Sequence, residues 1–132
     1  MPRLVSSGLY VITDSQLIGG KALLPAVEAA LRGGAGMVQY RDKSANQAQR
    51  FDEASGLAEL CRHAAVPLII NDDIALAKAV GADGVHLGRD DAAATTARAE
   101  LGPQAIIGIS GYNQPEAALA AEADYIALGR LF

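Results

Sequence analysis

The 132-residue chain has one cysteine, no tryptophan and few other aromatic residues. Cys61 can form no disulfide within the chain, and no cluster of cysteine and histidine suggests a zinc site. No apolar run approaches the ~18 residues of a membrane span, and the start of the chain lacks the apolar core of a secretion signal. We therefore expect a cytoplasmic protein with no membrane partner.

Charge is also sparse, at 20% of residues with a net charge of −4 and no run of lysine or arginine. Nucleic-acid binding needs a basic stripe, so a nucleic-acid partner is not expected. Apolar residues make up 51% of the chain, enough for one core, and the length leaves no room for a second. The composition predicts a single domain over residues 1–132.

Short apolar runs alternate with alanine-rich segments of helical spacing. The runs predict strands at 9–12, 37–40, 67–70, 84–87, 105–109 and 125–128. The segments between them predict helices at 21–33, 45–64, 73–80, 91–101 and 114–122. This order predicts an α/β fold with a parallel sheet and right-handed crossovers.

A turn motif recurs at 33–37 and 81–85, with a looser echo at 122–125, which indicates a repeated βα unit as in a TIM (β/α)8 barrel. About six such units are present, whereas a complete barrel has eight. The sequence leaves two alternatives open: a six-stranded open sheet, or a barrel without its last two units.

Polar residues follow the predicted strands, where parallel α/β folds carry their sites. Gln39, Arg41 and Lys43 alternate, so an extended strand places them on one face. An arginine fork beside a lysine suits a phosphate or diphosphate. The alternative is a solvated strand end whose charges pair with Asp42.

Acidic residues follow two further strands. Asp72 and Asp91 would repel each other unless a cation lay between them, and Mg²⁺ takes carboxylate and phosphate oxygens. The alternative is that these acidic residues are helix N-caps, a role that Asp73 and Asp90 fit well.

One histidine and one serine lie within the strand pattern. His86 is expected to be a hydrogen-bonded core residue, as a lone histidine in an apolar strand more often is. Ser110 lacks a G-x-S-x-G context, and the rim offers no histidine as an obvious base. We expect Ser110 to donate a hydrogen bond rather than to act as a hydrolase nucleophile.

Read together, six short motifs resemble the thiamine-phosphate synthase (thiamine-phosphate pyrophosphorylase) family. They are Leu-Tyr-Val-Ile-Thr-Asp at 9–14, Val-Gln-Tyr-Arg-Asp-Lys at 38–43, Ile-Asn-Asp-Asp at 70–73, Gly-Val-His-Leu-Gly-Arg-Asp-Asp at 84–91, Gly-Ile-Ser at 108–110 and Ala-Asp-Tyr-Ile-Ala-Leu-Gly at 123–129. Their order and spacing cover nearly the whole chain.

The resemblance implies a TIM barrel and a Mg²⁺-dependent transferase of thiamine biosynthesis. The family joins hydroxymethylpyrimidine diphosphate to thiazole phosphate, giving thiamine phosphate and diphosphate. Carried over by motif, the substrate-binding residues are Gln39, Tyr40, Arg41, Asp42, Lys43, Asn71 and Ser110. Among them Arg41, Lys43 and Ser110 would be catalytic, and the Mg²⁺ ligands map to Asp72 and Asp91.

The chain also departs from the family pattern. Arg89 stands where the family usually has glutamine, and the family's Pro-x-x-Thr-Lys loop and last two strands, which hold the thiazole phosphate, are not present. We therefore expect a C-terminally shortened member with little or no synthase activity by itself. The alternatives are a non-catalytic pyrimidine-diphosphate-binding remnant and a related thiazole tautomerase, which retention of Asp73 and Asp91 disfavours. A receiver-like phosphoacceptor domain is disfavoured because the last lysine is Lys78.

Six strands would leave two apolar edges and an open inner face. We expect that face to expose Val38, Ile70 and Ile107, and we expect a homo-oligomer that buries the gap.

Overall fold

The computed structural model describes residues 9–14, 20–42, 46–88, 91–110 and 124–127. The strands are β1 (Leu9–Ile12), β2 (Ala35–Tyr40), β3 (Leu68–Asn71), β4 (Gly84–Leu87), β5 (Ile106–Ser110) and β6 (Tyr125–Ala127). The helices are α1 (Leu23–Arg32), α2 (Gln47–Ala64), α3 (Ile74–Val80) and α4 (Asp91–Leu101), with a 3-10 turn at Gly20–Ala22 before α1. Each lies within about two residues of its predicted bounds, and the helix predicted over 114–122 lies outside the described residues. None of the described helices is long and apolar enough to cross a bilayer.

The described strands form one parallel sheet in chain order, from β1 to β6. Every crossover therefore advances in the same direction, and right-handed connections place the helices on a single face. A doubly wound sheet would reverse its order part-way along and carry helices on both faces. The predicted parallel α/β sheet is confirmed, and it has the winding of a half-barrel.

The two faces of the sheet differ in what they contact. Val38, Ile70 and Ile107 belong to the main core and pack with residues of all four helices, and each is 0% exposed. Met37 and Ile69 lie in a separate cluster that contains no helix residue. We call this second surface the inner face. The expectation that it exposes Val38, Ile70 and Ile107 is wrong, because the two-residue period of a strand sends those side chains under the helices.

Cys61 is part of the main core and is 1% exposed. Burial raises the pKa of its thiol to about 11, so the thiol stays neutral at ordinary pH and acts as a small apolar group.

In two copies of the recurrent turn that precedes a strand, an aspartate side chain binds the neighbouring strand. Asp83 precedes β4, and its Oδ2 accepts the backbone N–H of Leu68 in β3 at 2.8 Å. Asp124 precedes β6, and its Oδ2 accepts the N–H of Ile107 in β5, also at 2.8 Å. In both cases the aspartate's own N–H donates to the carbonyl of the same residue. Each aspartate therefore closes the amino end of the strand before its own.

Helices α2 and α3 end in the same left-handed turn with different residues. Ala65 follows α2 at φ 58°, and Gly81 follows α3 at φ 69°. In both turns the next N–H, of Val66 or Ala82, donates to a carbonyl five residues back. An L-residue with a Cβ is strained in this conformation, whereas glycine is not.

We expect Ala65→Gly to raise the free energy of unfolding by about 1 kcal/mol, because it removes a Cβ from a left-handed residue that is exposed. Gly81→Ala is the matched control and should lower it by a similar amount. Urea unfolding of both variants measures the two changes. A destabilised Ala65→Gly chain would contradict this account of the α2 turn.

Candidate active site

Side chains from four strands form a row across the inner face near the carboxyl ends of the strands. In β2 and β3, Gln39 pairs with Ile69 and Tyr40 pairs with Ile70. The same register places Arg41 beside Asn71, one residue further along the strands. Asn71 pairs with His86, and His86 pairs with Gly108. The structure thus brings residues far apart in sequence onto neighbouring strands at one rim.

Gln39 lies one level deeper and is 3% exposed. Its Nε2 donates to the hydroxyl oxygen of Tyr10 at 2.8 Å, across β1 and β2. This bond fixes the orientation of the amide and directs the Oε1 acceptor away from Tyr10. The sequence pattern did not single out Tyr10, whose pairing with Met37 across β1 and β2 places it on the inner face.

The end of β2 is held to β1 through Thr13. The N–H of Thr13 donates to the carbonyl of Gln39 at 2.9 Å, and its Oγ1 accepts the N–H of Arg41 at 3.0 Å. The Arg41 side chain is exposed beyond this anchor, so its guanidinium is available at the rim.

Tyr40 and Asp42 are not brought together with the other predicted substrate ligands. Tyr40 is 2% exposed in the helix-side core, and its hydroxyl lies 2.6 Å from Oε1 of Glu53 and 3.1 Å from Oδ2 of Asp42. Burial, followed by the hydrogen bond to Glu53, raises the pKa of Tyr40 well above its usual range. The difference from the prediction follows from strand alternation, since Tyr40 points opposite to Gln39.

His86 and Ser110 are hydrogen-bonded to each other. His86 Nε2 lies 2.8 Å from Ser110 Oγ, and His86 is 7% exposed. The expectation that the rim offers no histidine beside Ser110 is therefore wrong, whereas the expectation of a hydrogen-bonded His86 is confirmed. Sequence spacing could not reveal the pair, because it joins neighbouring strands at different levels.

Two charged groups act on this imidazole. Burial lowers the pKa of His86 below its usual value, the carboxylate of Asp72 opposes the shift, and the guanidinium of Arg41 adds to it. Asp72 and Arg41 therefore both lie near His86, as convergence at the rim predicts, and the buried imidazole is neutral at pH 7.

Adjacent aspartates at the end of β3 have different environments. Asp73 caps α3, since its Oδ1 accepts the N–H of Leu76 at 2.8 Å, and its Oδ2 lies 2.9 Å from Arg50 Nη2. The predicted N-cap role of Asp73 is confirmed. Asp72 is exposed at φ 61°, a left-handed conformation that aspartate tolerates better than most residues, and its N–H donates to the carbonyl of His86 at 2.8 Å. This turn leaves the Asp72 carboxylate at the rim.

The metal prediction can be compared with the donors present. No group of three or more histidine, cysteine, aspartate or glutamate side chains that could hold a metal lies within the described part of the chain. Mg²⁺ needs fewer protein ligands, because it is often held by one or two carboxylates with substrate phosphate oxygens. An exposed Asp72 beside the rim fits that mode.

Some predicted residues cannot be placed. Lys43, Arg89 and Asp90 lie outside the described residues. Asp91 begins α4, directly after the loop that follows β4, and its side chain also lies outside the description.

One cavity in the described part of the chain lies away from this rim. A cavity of about 580 Å³ is lined by Cys61, Arg62, Val66, Leu68 and Asp83, among others, at the amino end of β3. In barrels of this winding that end serves stability, whereas the carboxyl end carries the site. The rim described above is therefore the candidate site.

Fold and rim together define a singly wound, parallel α/β protein with polar side chains gathered at the carboxyl ends of its strands. The family model described as Thiamine monophosphate synthase matches residues 9–132. The chain is 53% identical over 128 residues to the thiamine-phosphate synthase of Nitrosococcus oceani, covering 95% of this chain and 59% of that protein. It is 52% identical over 130 residues to that of Methylococcus capsulatus, covering 96% and 58%.

A solved structure agrees with these relatives. The thiamine phosphate pyrophosphorylase from Pyrococcus furiosus superposes with a TM-score of 0.81 at 33% identity, over 95% of this chain and 61% of that one. The chain belongs to the thiamine monophosphate synthase family. It spans about three-fifths of the length of the relatives that it matches.

The two aspartates should differ in their effect on stability. We expect Asp73→Ala to lower the free energy of unfolding by about 1 kcal/mol, because the N-cap of α3 is lost. Asp72→Asn should change it by less than about 0.5 kcal/mol, since asparagine also tolerates a left-handed backbone and the residue is exposed. Urea titrations measure both, and equal losses would contradict the separate roles.

Proposed function

We propose that the protein acts in thiamine biosynthesis as a thiamine-phosphate synthase. In this reaction the hydroxymethylpyrimidine group leaves its diphosphate and is joined to thiazole phosphate, with thiamine phosphate and diphosphate as products. The observation that carries the proposal is the gathering of Gln39, Arg41, Asn71, Asp72 and Ser110 at one rim in a chain 53% identical to a thiamine-phosphate synthase.

The residues divide by chemistry. Arg41, with Lys43, binds the diphosphate and stabilises its charge as the carbon–oxygen bond breaks. The amides of Gln39 and Asn71 orient the pyrimidine, Gln39 through the Oε1 left available by Tyr10. Ser110 hydrogen-bonds the substrate. Positioning of this kind supplies much of the rate in a reaction between two bound molecules.

Asp72 and Asp91 would hold Mg²⁺ together with the diphosphate. The metal, when bound, neutralises leaving-group charge. Support comes from the exposed Asp72 carboxylate beside the rim and from the position of Asp91 at the start of α4, after the neighbouring strand.

The whole protein closes the sheet into a TIM barrel. The chain-order sheet and the helices on one face support this, as does the position of β1 at the edge of the described strands, where Leu9 is 62% and Ile12 is 52% exposed. Further parallel strands would cover that edge. Burial of the edge between copies of the chain, as in the expected homo-oligomer, stays a prediction.

The structure bears differently on the two alternative functions, a thiazole tautomerase and a non-catalytic binding remnant. Asp73 caps a helix and pairs with Arg50, so its retention says little about a tautomerase. Asp91 still disfavours that reaction. A non-catalytic binding remnant would keep the diphosphate site and lack turnover.

Diphosphate binding should depend on Mg²⁺. We expect calorimetric titration of the chain with inorganic pyrophosphate to give at least about tenfold tighter binding with Mg²⁺ than without it, because the rim carboxylates hold the metal only with phosphate oxygens. Asp72→Asn should remove the difference. Asp73→Asn, which keeps the helix cap, is the control and should retain it. Equal binding with and without Mg²⁺ would exclude the metal site.

Turnover separates the synthase from the alternatives. Incubation with hydroxymethylpyrimidine diphosphate, thiazole phosphate and Mg²⁺ should release diphosphate and form thiamine phosphate if the chain holds both substrates, as followed by ³¹P NMR and chromatography. Tight binding of the pyrimidine diphosphate with little or no product is expected of the chain by itself and is shared with the binding remnant, whereas robust product formation would exclude the remnant. Failure to bind it at all would overturn the proposed function.

A further inference from the structure

His86 is the buried polar group of the inner face to which the family resemblance assigns no role. It is 7% exposed in β4, opposite Gly108 of β5. Since Gly108 has no side chain, the imidazole can lie across β5 and reach Ser110, two residues further along the same face. The 2.8 Å separation of Nε2 and Oγ is the result.

The close approach of β4 and β5 supports this contact. A Cβ at Gly84, two residues before His86, would overlap the backbone carbonyl of Ile106. Glycine is therefore required where β4 runs against β5.

A serine hydroxyl otherwise rotates among staggered positions, and only some of them direct it at a ligand. A hydrogen bond to a buried ring selects one of them before the ligand arrives. Binding then loses less conformational entropy, as in other preorganised sites.

The backbone of His86 is tied to a second site residue, because its carbonyl accepts the N–H of Asp72 at 2.8 Å. One residue thus contacts both the turn that presents Asp72 and the hydroxyl of Ser110.

We propose that His86 is a positioning residue for the synthase reaction, holding the Ser110 hydroxyl in the orientation that contacts the pyrimidine diphosphate. This inference rests on the proposed function, since it takes Ser110 as a substrate ligand. His86 acts through Ser110 and not on the substrate itself.

Matched amide variants test the reach of the side chain. The amide of glutamine can stand near the Nε2 position and can donate or accept, so His86→Gln should bind hydroxymethylpyrimidine diphosphate with Mg²⁺ within about threefold of wild type. Asparagine is too short to reach Ser110, so His86→Asn should bind about tenfold more weakly. Calorimetry gives both dissociation constants, and circular dichroism checks that each variant folds.

A double-mutant cycle separates positioning from a structural role. Ser110→Ala should weaken binding about as much as His86→Asn, and the double variant should be no weaker than Ser110→Ala alone. Additive losses would overturn the inference, as would a loss in His86→Gln equal to that in Ser110→Ala. If His86→Asn does not fold, His86→Gln with and without Ser110→Ala decides by the same criteria.

A failure of the proposed function can be distinguished from a failure of this inference. No binding of hydroxymethylpyrimidine diphosphate by the wild-type chain overturns the synthase and this inference together. Wild-type binding that Ser110→Ala leaves unchanged overturns only the inference and the ligand role of Ser110.

Discussion

A strand covered by helices on only one face must divide its side chains between two environments, and the rest of this structure depends on that division. In β2, Val38 and Tyr40 lie under the helices while Met37 and Gln39 occupy the inner face. Because side chains alternate with a period of two, a shift of one residue would move every helix-side residue to the inner face and every inner-face residue under the helices. Which residues can form a site is therefore decided by the same packing that forms the core.

Parallel pairing then brings the inner-face residues together. The register places Arg41, Asn71 and His86 at one level on three neighbouring strands, with Ser110 just beyond them. The two aspartates of the turn after β3 also differ in position, because Asp73 stabilises the next helix while Asp72 remains at the rim. Adjacent aspartates thus occupy different environments, one capping a helix and the other exposed at the rim.

Much of the fold follows from the sequence, because apolar runs and helical spacing are local signals and the glycine-bearing turns mark where elements end. The alternation of Gln39 and Arg41 was equally readable. Motif resemblance alone does not show which face each residue of a motif occupies, so it could not predict that the Tyr40 side chain lies in the helix-side core. Val38 and Ile70 were misplaced because an unbroken apolar run does not reveal which side the helices cover.

The His86–Ser110 and Gln39–Tyr10 bonds were not readable, since they depend on register between strands, which spacing along one chain does not encode. The same holds for the contacts of Asp83 and Asp124 across strands.

Those two aspartates mean that the βα units are not self-contained modules. The units that begin with β3 and β5 are each completed by a carboxylate that precedes the next strand, Asp83 or Asp124, so their structural and sequence boundaries are offset by a few residues. A fragment that ends after β5 and before Asp124 would leave the N–H of Ile107 and the guanidinium of Arg98 without that acceptor. Chimeras and split forms of this fold should therefore be joined after Asp83 or Asp124 at these two boundaries, and not between the earlier strand and its aspartate.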